Sequence, residues 1–121
     1  MNILIQDIPH YQQRYPTTGD WQTTVQDSIN ISVSSLSDSR YEKLVAVHEL
    51  IEALLCMHDG VTAKEVDDFD IAHLELDEPG DHVDSPYRTQ HARASTIEKQ
   101  LASWMDVDWA KYEKELSSLY D

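Results

Sequence analysis

The chain has 121 residues and a hydrophobic fraction of 40%, enough for one compact domain with one core and too apolar for a disordered chain. Its formal charge of −14 sets its surface against a phosphate backbone, so direct nucleic-acid binding is not expected. The single cysteine, Cys56, rules out an internal disulfide and a cysteine-based zinc site.

Residues 1 to 9 read as a strand, with Ile3, Ile5 and Ile8 apolar. The same stretch has no basic lead-in and too short an apolar run for a secretory leader. No apolar stretch approaches the roughly 20 residues of a membrane span, so a cytoplasmic protein is expected. "HYQQRYPTTGDW" is turn-rich, punctuated by Pro16 and Gly19. "INISVSS", residues 29 to 35, alternates Ile29, Ile31 and Val33 with polar neighbours, and residues 22 to 26 extend or pair with it. "SDSRYEKLVAVHELIEALLCMHDG" reads as a long helix, capped by Ser37 or Asp38 and ended by Gly60. "TAKEVDDFDIAHLEL" opens with Thr62 and Glu65 in a capping-box pattern and forms a second helix. After the loop "DEPGDHVDSP", Pro86 opens a third helix over residues 86–105, and "DVDWAKYEKELSSLY" forms a short amphipathic one. The expectation is a single α+β domain, residues 1–121. Residues 1–36 form a small antiparallel sheet, and residues 37–121 supply three to four helices that pack with it.

The long helix carries His48, Glu49 and Glu52 in an otherwise oily run. At 100° per residue, His48 and Glu52 lie one turn apart beside the stripe of Leu44, Ile51 and Leu55, and Glu49 lies at its edge. On the third helix, His91 and Glu98 are almost two turns apart and border the face of Tyr87, Ala94, Leu101 and Met105. Two helices therefore each turn a histidine and a glutamate inward, where ionisable groups are costly without partners. A divalent ion would satisfy them, with His48, Glu52, His91 and Glu98 as candidate ligands. A nitrogen-and-oxygen set suits zinc first, with manganese, magnesium, iron or nickel as alternatives. The metal-free alternative is a buried network, for instance His48 with Glu98 and Glu52 with His91.

His48-Glu49-Leu50-Ile51-Glu52 resembles the zincin metallopeptidase helix, His-Glu-x-x-His, with a glutamate in place of the second histidine. The resemblance implies a zincin-like minimal core, His48 and Glu52 as metal ligands, and Glu49 as general base of a metal-dependent hydrolase. It also implies that "INISVSS" is a sheet-edge strand able to hold substrate. More widely, "RYEKLVAVHELIEALLC", "GVTAKEVDDFD" and "DSPYRTQHARASTIEKQLA" resemble small proteins of tailed bacteriophages and prophages, over most of residues 35–115. That resemblance implies the cytoplasm of a host cell. Glu49-Leu-Ile-Glu52, followed after twelve residues by Glu65-Val-Asp-Asp68, also resembles the all-α NTP pyrophosphatases of the MazG type. There the four acids would bind magnesium and the magnesium a nucleoside triphosphate.

The acidic excess is concentrated between Asp59 and Asp84, against Lys64 alone. Such a face could engage a host or phage protein, as an inhibitor or DNA mimic without enzymatic activity. Cys56 reads as a buried hydrophobe and His58 as a cation at a helix C-terminus. His73 and His82 read as solvated loop residues. Arg14, Tyr15 and Trp21 are candidates to line a groove by the strands. Trp104, Trp109 and Tyr112 read as core or interface anchors, which makes a homodimer an expectation.

Overall fold

Residues 1–24 and 27–121 are described by a computed structural model of the chain. The fold is α+β, a three-stranded sheet followed by four α-helices. The central strand is β3, Ser28–Ser34, whose alternation puts Ile29, Ile31 and Val33 on one face, all buried. β1, Asn2–Ile8, pairs with it in parallel, and β2, Gly19–Thr24, pairs antiparallel, so the order is β1-β3-β2.

The sheet is mixed, which corrects the antiparallel expectation. The cause is the link of residues 9–18. A tight hairpin would have laid β2 beside β1. Instead the link crosses the end of β3: Ser35 N–H donates to Ile8 O, Ser34 N–H donates to Thr18 O, and the Gln13 amide donates to Ser32 O. β3 then fills the gap between the outer strands. This placement also removes the edge-strand role from "INISVSS", because β1 and β2 occupy both of its sides. β2 starts at Gly19, inside the stretch read as a turn, and residues 25 and 26 of the expected 22–26 segment lie outside the described residues.

α1, Ser39–Asp59, begins where Asp38 accepts a hydrogen bond from Arg40 N–H. It ends at Gly60, whose φ of 78° is the left-handed conformation that only glycine adopts cheaply. α2, Ala63–Ala72, has the full capping box between Thr62 and Glu65. α3 spans Arg88–Trp104, so Pro86 stands outside it and not at its first position. The N-cap, Tyr87, is a buried ring whose hydroxyl donates to Asp70 at 2.5 Å, and that anchor sets where the helix begins. α4, Trp109–Ser118, is capped by Asp108, which accepts from Lys111 N–H.

α1 lies between the sheet and α3. Its sheet side presents Leu44 and Val45 to β2 and β3. Ala53, Ala94 and Ala102 are buried without long side chains to hold the helices apart, so α1 and α3 approach closely. Tyr112 of α4 packs its ring against Tyr41 at 5.2 Å and closes one end of the core. Among the described residues, no helix is long and apolar enough to cross a membrane.

Candidate metal centre

His48 and Glu52 sit four residues apart on α1, and His91 sits in the first turn of α3 opposite them; all three are buried. His48 Nε2 lies 3.1 Å from Glu52 Oε2 and 3.2 Å from His91 Nδ1, and His91 Nδ1 lies 2.9 Å from Glu52 Oε2. A tetrahedral ion with bonds of about 2.0–2.1 Å holds neighbouring ligand atoms about 3.4 Å apart. The triangle is slightly smaller than that, and a shift of a few tenths of an ångström would match it.

Each member of the triangle is also held from behind. Glu98 Oε1 lies 2.7 Å from His48 Nδ1, and Glu98 Oε2 accepts from the buried Tyr112 hydroxyl at 2.5 Å. The Trp21 indole N–H donates to Glu52 Oε1 at 3.1 Å. His91 Nε2 faces Glu78 Oε2 at 3.2 Å and Asp81 Oδ1 at 3.4 Å. Gly80 packs directly on the His91 ring, where any Cβ would collide with it. Of the four expected ligands, the structure gathers three, and it places Glu98 on the far side of His48. The two metal-free pairs, His48 with Glu98 and Glu52 with His91, are also present.

The electrostatics follow from this crowding. Burial opposes charge on His48, but hydrogen bonds to Glu52 and Glu98 outweigh it and raise its pKa well above 6.5. The same balance, with Glu52 and Glu78 as partners, raises His91 to about 10. Glu52 is held below the usual carboxylate range, because the two imidazoles overcome its burial. With both rings protonated, two N–H groups would face each other across 3.2 Å. A metal cation bound there would take the place of those two protons, because an imidazole ligates only through a deprotonated nitrogen.

Glu49 points to the cavity side. It has no hydrogen-bond or ion-pair partner among the described residues, and it packs on Gly19, where a Cβ would come within 2.7 Å of its side chain. Burial first, then the charge of Glu52, pushes its carboxyl well above 4.5. A cavity of about 310 Å³ opens over the three buried groups, walled by Tyr15, Trp21, Tyr87 and Tyr120. Tyr15 and Trp21 thus line the expected groove. Arg14 does not, because its guanidinium is held by Asp20 at 2.7 Å and Asp67 at 3.1 Å.

The remaining candidates go elsewhere. Glu65 is used by the capping box and Asp68 pairs with Lys64 at 2.5 Å, so neither joins Glu49 and Glu52 in a magnesium cluster. Glu78, Asp81 and His91 Nε2 form a second group of potential ligand atoms. A neutral imidazole has one lone pair, so His91 can serve only one of its two groups at a time. Cys56 is a core residue whose thiol burial pushes up to about 12. His73 stacks on Phe69 at 4.0 Å, and His82 lies 5.2 Å from His73. Trp104 is 74% exposed, whereas Tyr112 is fully buried. Sequence reasoning left Trp21, Tyr112 and Glu78 without chemistry. Their only signal was an aromatic or acidic side chain within a turn or a helix face, and their roles exist only across elements.

Comparison with known proteins brings no match: no family model, no curated protein and no solved structure is similar to this chain.

Proposed function

We propose that this protein binds one divalent cation, zinc first, through His48 Nε2, Glu52 Oε2 and His91 Nδ1, and acts as a zincin-like hydrolase. The observation that carries the reading is the triangle itself: three potential ligand atoms within 3.2 Å of one another, buried, each with its opposite atom already partnered. Partners behind the ligands are the arrangement that fixes imidazole tautomers and ligand orientation in metal sites. In this reading Glu98 orients His48 and does not ligate. Three protein ligands leave a fourth position for water, as in catalytic zinc sites, and the ion when bound supplies acidity to that water. Glu49, unpartnered and held against Gly19, is the group available to accept a proton, the role that the His-Glu-x-x-Glu motif suggests.

A second reading, the acidic phage-type accessory protein, draws on the exposure of most of the acidic run. Asp59, Glu65, Asp68, Glu75, Asp77, Glu78, Asp81 and Asp84 all face solvent. It requires no bound ion.

The deciding measurement is metal content of protein purified without added metal, followed by chelation and titration with zinc. One zinc per chain, lost in His48→Ala and in His91→Ala, is the expected result. No stoichiometric metal, with zinc titration giving no saturable binding, overturns the metal reading and leaves the accessory one.

A further inference from the structure

The cavity over the three buried groups has a one-sided lining. Apart from His48 and His91, every charged side chain that lines it is a carboxylate. The nearby cation, Arg14, does not line the cavity: its guanidinium is shared between Asp20 and Asp67 and lies over the Tyr15 ring at 5.6 Å. Asp70 is held by the hydroxyls of Tyr15 and Tyr87. Glu49, Asp77 and Glu113 are different: all three line the cavity and have no hydrogen-bond or ion-pair partner among the described residues. Glu49 is the deepest of them, on α1 beside the centre. Asp77 follows α2 and Glu113 lies on α4, and both are exposed, so they stand at the mouth from two different elements. Trp21 and Tyr120 add aromatic lining, and aromatic rings attract a desolvated cation; the Tyr15 ring already carries the Arg14 guanidinium.

We propose that this cavity takes the chain of a basic peptide, with a lysine or arginine side chain between Asp77 and Glu113 and an amide beside the centre of His48, Glu52 and His91. The substrate class rests on the hydrolase reading, since only that reading gives the amide a reason to be there. The charge argument stands apart from it, because the mouth residues belong to no ligand set. A phosphate-bearing or carboxylate-rich substrate meets nine lining carboxylates against two imidazoles, with no lysine or arginine in the lining. Binding to a lined cavity also differs from loose attraction to the overall charge of −14, which any acidic patch would supply equally.

Two fluorescein-labelled octapeptides test this, one alternating arginine with alanine and one alternating glutamate with alanine. Their anisotropy is titrated with the zinc-treated protein and again with EDTA present. The basic peptide should bind at least tenfold more tightly than the acidic one in both conditions. The Asp77→Asn, Glu113→Gln double variant should lose at least tenfold of that affinity. Asp7→Asn with Asp106→Asn removes as much charge from positions outside the cavity lining and should change affinity less than threefold. Equal affinity for the two peptides overturns the proposal, as does an equal loss in both double variants. If preference survives EDTA but no peptide is cleaved with zinc present, the cationic site stands and the hydrolase reading fails.

Discussion

Single side chains decide most of the chemistry here. Glu98 and Tyr112 are the clearest case, a hydroxyl on α4 holding a carboxylate on α3 that holds an imidazole on α1. Neutralising a carboxylate behind a metal-bound histidine costs 10- to 100-fold in metal affinity. Glu98→Gln should therefore weaken zinc binding by about that factor in a competitive chelator titration, with circular dichroism unchanged, and Tyr112→Phe should weaken it less. A variant that binds zinc as tightly as the parent would show that Glu98 is only a core partner. Asp70 predicts a pH effect. Its burial outweighs the hydroxyl bonds from Tyr87 and Tyr15 and raises its pKa from 3.8 to about 6. A carboxylate raised in the folded state stabilises only while protonated. Stability is therefore greatest below about pH 4 for this group, and on the order of 3 kcal/mol is lost as pH rises through 6. Asp70→Asn should remove that loss, so its melting temperature at pH 7 should exceed the parent's while the two converge near pH 4. A variant that melts lower at pH 7 would refute this reading.

At the scale of elements, local signals read well wherever one segment contains the whole cause. The capping box of α2 is written in Thr62 and Glu65, and the end of α1 is written in Gly60. Thr62→Ala should cost about 1 kcal/mol and Gly60→Ala a similar amount, each lowering the melting temperature by a few degrees. An unchanged melt for Gly60→Ala would mean that α1 frays before its C-cap matters. Pro86 shows the opposite case. Its type fits a first helical position, yet α3 starts at Arg88 because Tyr87 is tied to Asp70 of another helix. The direction of β1 was hidden for the same reason. Alternation along β1 or β3 says which face is buried, not which neighbour runs beside it.

At the scale of the whole molecule, the centre joins helices whose closeness depends on small buried residues. If a cation completes it, folding and binding are linked. At free zinc of 1,000 times the dissociation constant, the folded state gains about 4 kcal/mol, and the melting temperature should rise on adding zinc and fall again with EDTA. No difference between zinc and EDTA melts would argue that the buried pairs of His48 with Glu98 and Glu52 with His91 are the whole story. The sequence by itself determined the α+β class, the helical segments, the caps of α1 and α2, and the inward aim of His48, Glu52, His91 and Glu98, because helical periodicity and end signals are local. Only the tertiary structure decided that the sheet is mixed and that Glu98 stands behind His48. It alone brings Trp21, Tyr112 and Glu78 to the centre and makes the cavity walls acidic. Those facts depend on which elements become neighbours, and residues tens of positions apart in the chain carry no local mark of meeting.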